Sequence, residues 1–95
     1  MNVKILSKIS MVINKMEISS MINDIDFTKE ISNDELGKIL IKAVLDNFYK
    51  AENEFIDLIA SVKGISKEEA ENVDVIQFVM DLLKDEKIKS FLQLM

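Results

Sequence analysis

The sequence predicts a single all-α domain, and three of its features lead to that prediction. Proline is absent and glycine occurs only twice in 95 residues, so few residues would interrupt a helix. Apolar residues recur at steps of three and four along most of the chain, which is the spacing of one helix face. Serine or aspartate residues suited to N-capping stand just before successive apolar segments. We therefore expect about four to six helices in one domain over residues 1–95.

The first segment, residues 1–22, has the pattern of an amphipathic helix. Its apolar positions are Ile5, Leu6, Ile9, Val12, Ile13 and Met16. Three interpretations are open: the helix packs on the protein's own core, it forms an arm that binds a partner, or it lies on a membrane surface. Three lysines and no aromatic residue in the segment give little support to the membrane interpretation. Polar residues interrupt the apolar run, so we expect no signal peptide here.

Residues 23–31 form a polar linker between this helix and a helical core, residues 32–95. The linker is expected to have apolar pins at Ile25, Phe27 and Ile31, and its acidic residues are Asp24, Asp26 and Glu30. The acidic residues lack the ladder of oxygen ligands, the central glycine and the terminal glutamate of a calcium-binding loop. A solvated loop is therefore the expected structure.

A long central helix is predicted to start at Ser32, where Ser32 and Glu35 are spaced as a capping box. One apolar stripe runs through Leu36, Leu40, Val44, Phe48, Ala51, Phe55, Leu58 and Val62, and a second through Ile41, Leu45, Tyr49 and Ile56. An unbroken helix as far as Lys63 would be about 46 Å long, whereas a compact chain of this length is about 32 Å across. We therefore expect the helix to break near residues 50–54, where Asn53 is the weakest helix former, or the molecule to be elongated, or a neighbour to cover the excess.

Gly37 lies inside this helix, where glycine costs about 1 kcal/mol relative to alanine. Two explanations are open. The first helix approaches the backbone closely at this point, or the glycine occupies a neutral surface position.

Shorter helices are predicted after the central one. Gly64 ends the central helix as a left-handed cap, and Ser66 with Glu69 has the capping-box spacing for a short helix. Asp74 and Asp85 are suited to cap the last two helices. The residues of the Asp74-capped helix expected to face inward are Val75, Ile76, Val79, Leu82 and Leu83, and the last helix carries Ile88, Phe91, Leu92 and Met95.

The composition argues against several kinds of site. The chain has no cysteine and no histidine, which removes thiolate chemistry and the usual zinc or haem ligands. Acidic pairs near helix starts are accounted for by the helix dipole, so we predict no catalytic, cofactor-binding or metal-binding residue and no enzyme activity. A net charge of −5 without any arginine disfavours a nucleic-acid partner. No apolar run reaches the roughly 18 residues that a membrane span needs.

Apolar residues make up 48% of the chain, which fits either a well-filled core or surplus apolar surface for a partner. The doubled stripe on the central helix favours self-association, so we expect a homo-oligomer. The residues predicted to form a partner or self-association surface are Leu6, Ile9, Ile13, Met16, Ile41, Leu45, Tyr49, Ile56 and Phe91.

The order and spacing of several segments resemble the tail assembly chaperones of long-tailed bacteriophages and prophages. These segments are Glu35–Gly37, Tyr49–Phe55, Leu58–Ala60 and Gly64–Glu69, followed by Phe91. The resemblance covers about residues 9–94. It departs from the family at Leu92, where such proteins often carry a second aromatic residue after the first.

The resemblance implies a small helical, non-catalytic protein that binds the tape-measure protein during tail morphogenesis and helps to recruit tail-tube protein. Such a protein would keep its long apolar partner soluble in the cytoplasm of the bacterial host and be absent from the finished virion. Two other functions are open: a small helical regulatory or interaction module of the antitoxin type, and a structural head–tail accessory protein. A DNA-binding version of the first would show a basic recognition helix, and none of the later helices is strongly basic.

Overall fold

The computed structural model describes residues 2–26 and 29–94, and within them helices pack around one cluster of buried apolar side chains. The helices are α1 (Val3–Met16), α2 (Ser19–Asn23), α3 (Asn33–Asn47), α4 (Glu52–Lys63), α5 (Lys67–Ala70), α6 (Val75–Leu83) and α7 (Glu86–Gln93), with a 3₁₀ turn (Phe48–Lys50) between α3 and α4. The predicted all-α class is confirmed. The described residues hold one α-helix more than the upper expected number, because the first segment is divided in two.

The first helix ends earlier than the sequence predicts. The side chain of Asn2 caps its start by accepting a hydrogen bond from the Ile5 amide at 3.0 Å. Its end is at Glu17, which takes a left-handed conformation with a φ of 60°. The next amide, that of Ile18, donates to the carbonyl of Ile13 at 3.3 Å, which closes the helix as in a Schellman motif. This turn buries Ile18 in the core, and α2 follows as a separate helix.

Within the described residues, Glu17 is the one residue other than glycine that has a positive φ. We expect Glu17→Gly to raise the free energy of unfolding by about 0.5–1 kcal/mol, because glycine avoids the cost of a side chain in this region. The Glu17–Lys50 ion pair, at 3.0 Å, is lost in the variant, but the carboxylate is largely exposed and such pairs contribute little. Urea denaturation measures the change. Glu17→Gln is the control, because it removes the charge but keeps a side chain at the left-handed position. Equal stability of the two variants would contradict the view that this conformation is strained.

The central helix is broken, slightly before the residues where the break is predicted. α3 ends at Asn47, and α4 begins after Ala51, which has a φ of −143° and a ψ of 34°. Asn53, expected to weaken the helix, lies instead in the first turn of α4. Intrinsic helix propensity therefore does not decide the position of the break.

Tertiary packing decides where the central helix breaks. Ala51 is fully buried, and the rings of Phe48 and Phe55, on either side of it, have centroids 5.2 Å apart. Phe55 in turn meets Phe78 of α6 edge-on at 5.8 Å. Aromatic pairs in such geometries add to the energy of burial, and this row of rings holds the 3₁₀ turn against the core.

The first segment packs on the protein's own core. α1 lies chiefly against α4, and α3 chiefly against α6. The largest fully buried side chains are Phe78, Met16, Ile22, Leu36, Ile59 and Leu83. Among the described residues no polar or charged side chain is buried. The core is thus entirely apolar, and α1 and α2 supply an essential part of it.

Gly37 is explained by close approach, but the neighbour is α6 and not the first helix. A Cβ at this position would overlap with Sδ of Met80 and lie 3.7 Å from Cδ1 of Leu83. The glycine therefore leaves room for the Met80 side chain against α3, at the expense of helix propensity.

The predicted cap residues are confirmed, although the capping box is complete at Ser66 and not at Ser32. Ser32 accepts from the Glu35 amide at 3.1 Å, and Ser66 and Glu69 form a complete capping box. The side chains of Asp74 and Asp85 accept backbone hydrogen bonds at the starts of α6 and α7. Gly64 has the left-handed conformation expected of it, with a φ of 66°.

The linker agrees with the expected polar loop carrying apolar pins where the structure describes it, whereas α6 differs from the expectation at one residue. The linker side chains Ile25 and Ile31 pack partly on the core, whereas Phe27 lies outside the described residues. In α6, Ile76 was expected to face inward but is exposed, and Phe78 takes the buried position. The apolar side chains of α6 cover so much of its circumference that its rotation is settled by contact with Phe55.

Candidate contact surface

Within residues 2–26 and 29–94, no three acidic side chains come together in a way that would hold a metal ion. In the same part of the chain, every buried side-chain nitrogen or oxygen atom has a hydrogen-bond partner. None of the helices described there has the length and apolarity needed to cross a bilayer. The absence of enzyme activity stays a prediction, and the features that suggest a function are apolar surfaces.

Three of the nine residues predicted for a contact surface are core residues instead. Ile9, Ile13 and Met16 are buried in α1, where that helix packs on α4. The helical spacing that suggested a contact face is also the spacing of a core face. In this fold these side chains are therefore not accessible to a partner.

Three others belong to α3 and to the 3₁₀ turn that follows it, and we call Ile41, Leu45 and Tyr49 the α3 face. Ile41 is half-buried at its edge, whereas Leu45 and Tyr49 are 55% and 77% exposed. Ile41 and Leu45 lie one turn apart along a line on α3, and Tyr49 follows in the 3₁₀ turn just beyond the end of that helix. The Lys42–Asp46 ion pair, at 3.0 Å, and Lys50, whose Nζ lies 5.9 Å from the Tyr49 ring centroid, are polar neighbours of this line.

The remaining three predicted residues lie elsewhere. Leu6 and Phe91 come together with Leu94 along an open groove of about 370 Å³ between α1 and α7. Ile56 is partly buried on α4 and packs on the core. The structure therefore divides the predicted surface into core residues, the α3 face and a second apolar groove.

Sequence reasoning missed a larger open groove of about 430 Å³. It is lined by apolar Ile5, Val62, Phe78, Leu82 and Ile88 and by polar Asn2, Ser61, Lys63, Asp81 and Asp85. No local pattern could reveal it, because the lining residues come from four helices far apart in the sequence. Several of its polar groups already have partners: Gln77 donates to Asp81 at 2.8 Å, and Asp85 caps α7.

Core side chains such as Ile13, Val44, Phe55 and Val79 also line a small, partly open cavity of about 80 Å³, whose lining is entirely apolar. Apolar cavities of this kind usually stay dry. With no polar group to orient a ligand, it is a packing defect and not a binding site.

Comparison with known proteins does not add to this picture: no protein-family model, no curated protein and no solved structure matches the chain.

Proposed function

We propose that this protein is a non-catalytic tail assembly chaperone of a phage or prophage, which binds the tape-measure protein in the bacterial cytoplasm during tail morphogenesis. The observation that carries the proposal is the α3 face, where Leu45 and Tyr49 are exposed beside a core that is closed without them. The resemblance of residues 9–94 to that family supports the same function. The tail-tube protein is a further partner under this proposal.

The α3 face suits a helical client. An amphipathic helix presents apolar side chains at steps of three and four, which matches the spacing of Ile41 and Leu45 on α3. Tyrosine offers a large apolar ring with a polar tip, which is favoured at interfaces. A long helical client repeats such contacts many times, so several weakly bound copies hold it with useful avidity.

The charge of the protein fits the same role. A net charge of −5 on 95 residues opposes association of chaperone-coated clients with one another. An apolar client covered by copies of an acidic domain would therefore stay in solution until the tail tube assembles around it.

The test is co-expression with the longest coiled-coil reading frame found next to this gene, where a tail-tube gene is expected before it and a tape-measure gene after it. We expect the chaperone to raise the soluble fraction of that client severalfold. Leu45→Glu should abolish the effect, because a charge in the α3 face must be desolvated on binding. Met11→Glu is the matched control, since Met11 is exposed to a similar extent on α1.

Two results would overturn the proposal: a client whose solubility is unchanged by the wild-type protein, or equal effects of the two substitutions. Mass spectrometry of purified phage particles separates the alternatives. A head–tail accessory protein would be present in the particles, whereas an assembly chaperone would be absent. An antitoxin-type module would instead relieve growth inhibition by an adjacent gene product.

A further inference from the structure

The segment between α3 and α4 has a sequence better suited to a helix than to a break. Phe48–Ala51 contains neither proline nor glycine, and both apolar stripes of α3 run on into α4. The side chains of Asn47 and Ala51 make no capping hydrogen bond at the start of the 3₁₀ turn or of α4. Local preference and tertiary structure therefore disagree here, and a competing conformation with a continuous helix is favoured by the local sequence.

The helices before this turn pack mainly on helices that follow it. α1 lies against α4 and α3 against α6, so residues 2–47 make their main contacts with residues 52–94 and not among themselves. We call residues 2–47 and 52–94 the two halves of the chain. An ion pair also joins them, because Lys8 of α1 lies 2.9 Å from Asp57 of α4. Lys8 further donates to the Ser61 hydroxyl at 2.6 Å. If the halves separate, each loses its partner surface.

Size shows that a straight helix would force this separation. A continuous helix over Asn33–Lys63 would be about 46 Å long, whereas the longest extent of the closed molecule is 39 Å. The straight helix therefore carries the two halves to its opposite ends. A stable molecule results only if another surface replaces each half, and the complementary surface is that of a second copy of the chain.

We propose that the protein also forms a domain-swapped dimer, in which Asn33–Lys63 is one continuous helix and residues 2–47 of each copy pack on residues 52–94 of the other. The contacts of the closed chain re-form between the copies, and both turns become regular helix. Exchange of identical elements is a low-cost route to a dimer. This inference does not depend on the proposed function, since it concerns the chain's association with itself.

The Lys8–Asp57 ion pair supplies a direct test. Lys8→Glu and Asp57→Lys each place like charges opposite each other in the closed chain. In a swapped heterodimer of the two variants, one interface pairs the introduced Glu with the introduced Lys, and the other keeps Lys8 with Asp57. The two proteins are unfolded together in urea, refolded at high concentration and weighed by native mass spectrometry. Random pairing of equal amounts gives as much heterodimer as the two homodimers together, and we expect the heterodimer to exceed them about tenfold.

The double variant Lys8→Glu/Asp57→Lys is the control. Mixed with the wild-type protein, it should avoid heterodimers, because swapping would put like charges together at both interfaces. Only monomers after refolding, or statistical mixing in both experiments, would overturn the proposal.

A second variant tests the turn itself. Asn47 takes a non-helical conformation, and its side-chain amide Nδ2 donates to the Ala43 carbonyl at 2.8 Å. Asn47→Ala stabilises the continuous helix, and a dimer contains two such helices. We therefore expect the dissociation constant of the dimer to fall roughly tenfold. Light scattering after size exclusion measures this, and an unchanged or weakened dimer would count against a straightened helix.

Discussion

Phe78→Ala is expected to lower the free energy of unfolding by about 3–5 kcal/mol. Phe78 is only 2% exposed and meets the Phe55 ring edge-on at 5.8 Å. The substitution removes a large apolar side chain, leaves a cavity in the core and breaks the row of rings that holds the 3₁₀ turn. Urea denaturation followed by circular dichroism measures the loss.

Ile76→Ala is the matched control for this prediction. Ile76 lies in the same helix, two residues earlier, and is 50% exposed, so its truncation should cost less than about 1 kcal/mol. The pair also tests the rotation of α6. If Ile76→Ala were the more damaging substitution, the helix would present the face that the sequence alone suggested, and Phe78 would not be its anchor.

Met16→Ala is expected to cost about 2–5 kcal/mol of stability. Met16 is 0% exposed and lies in α1, the helix whose role the sequence left open. Met11 belongs to the same helix and is 51% exposed, so Met11→Ala should change stability by no more than about 0.5 kcal/mol. Both substitutions remove the same atoms. The difference between their effects on the free energy of unfolding therefore measures what the burial of Met16 contributes.

The comparison distinguishes a core helix from a partner-binding arm. An arm would lose partner affinity on substitution and leave the unfolding of the isolated protein unchanged. Equal and small effects of the two methionine substitutions would show that α1 does not pack on α4 in solution. A large effect of Met16→Ala alone would confirm that the first segment belongs to the domain.

Helix ends were the most predictable part of this fold. Ser66 and Glu69, or Asp74 and the amide of Gln77, meet within one turn of the chain, so the interaction depends on residues three apart. Gly64 is predictable for the same reason, because a left-handed cap is a property of one residue. Glu17 is the exception, since a glutamate has no intrinsic preference for that conformation.

The candidate surface was predictable only in part. Leu45 and Tyr49 are exposed as the second stripe suggested, whereas Ile9, Ile13 and Met16 had an equally good pattern and are buried. The spacing of apolar residues shows that a helix has an apolar face, but it does not show whether the core or a partner covers that face. The groove beside Ile5, Val62 and Ile88 had no local signal at all.

The sequence by itself determined the all-α class and most of the helix ends, because these follow from interactions within a few residues along the chain. The tertiary structure alone decided where the central helix breaks, which side of α6 is buried and which apolar residues stay exposed. Each of these depends on contacts between distant segments, such as Phe55 with Phe78 and Gly37 with Met80. At Phe48–Ala51 such contacts outweigh a local preference for helix, and that competition underlies the proposed exchange between copies.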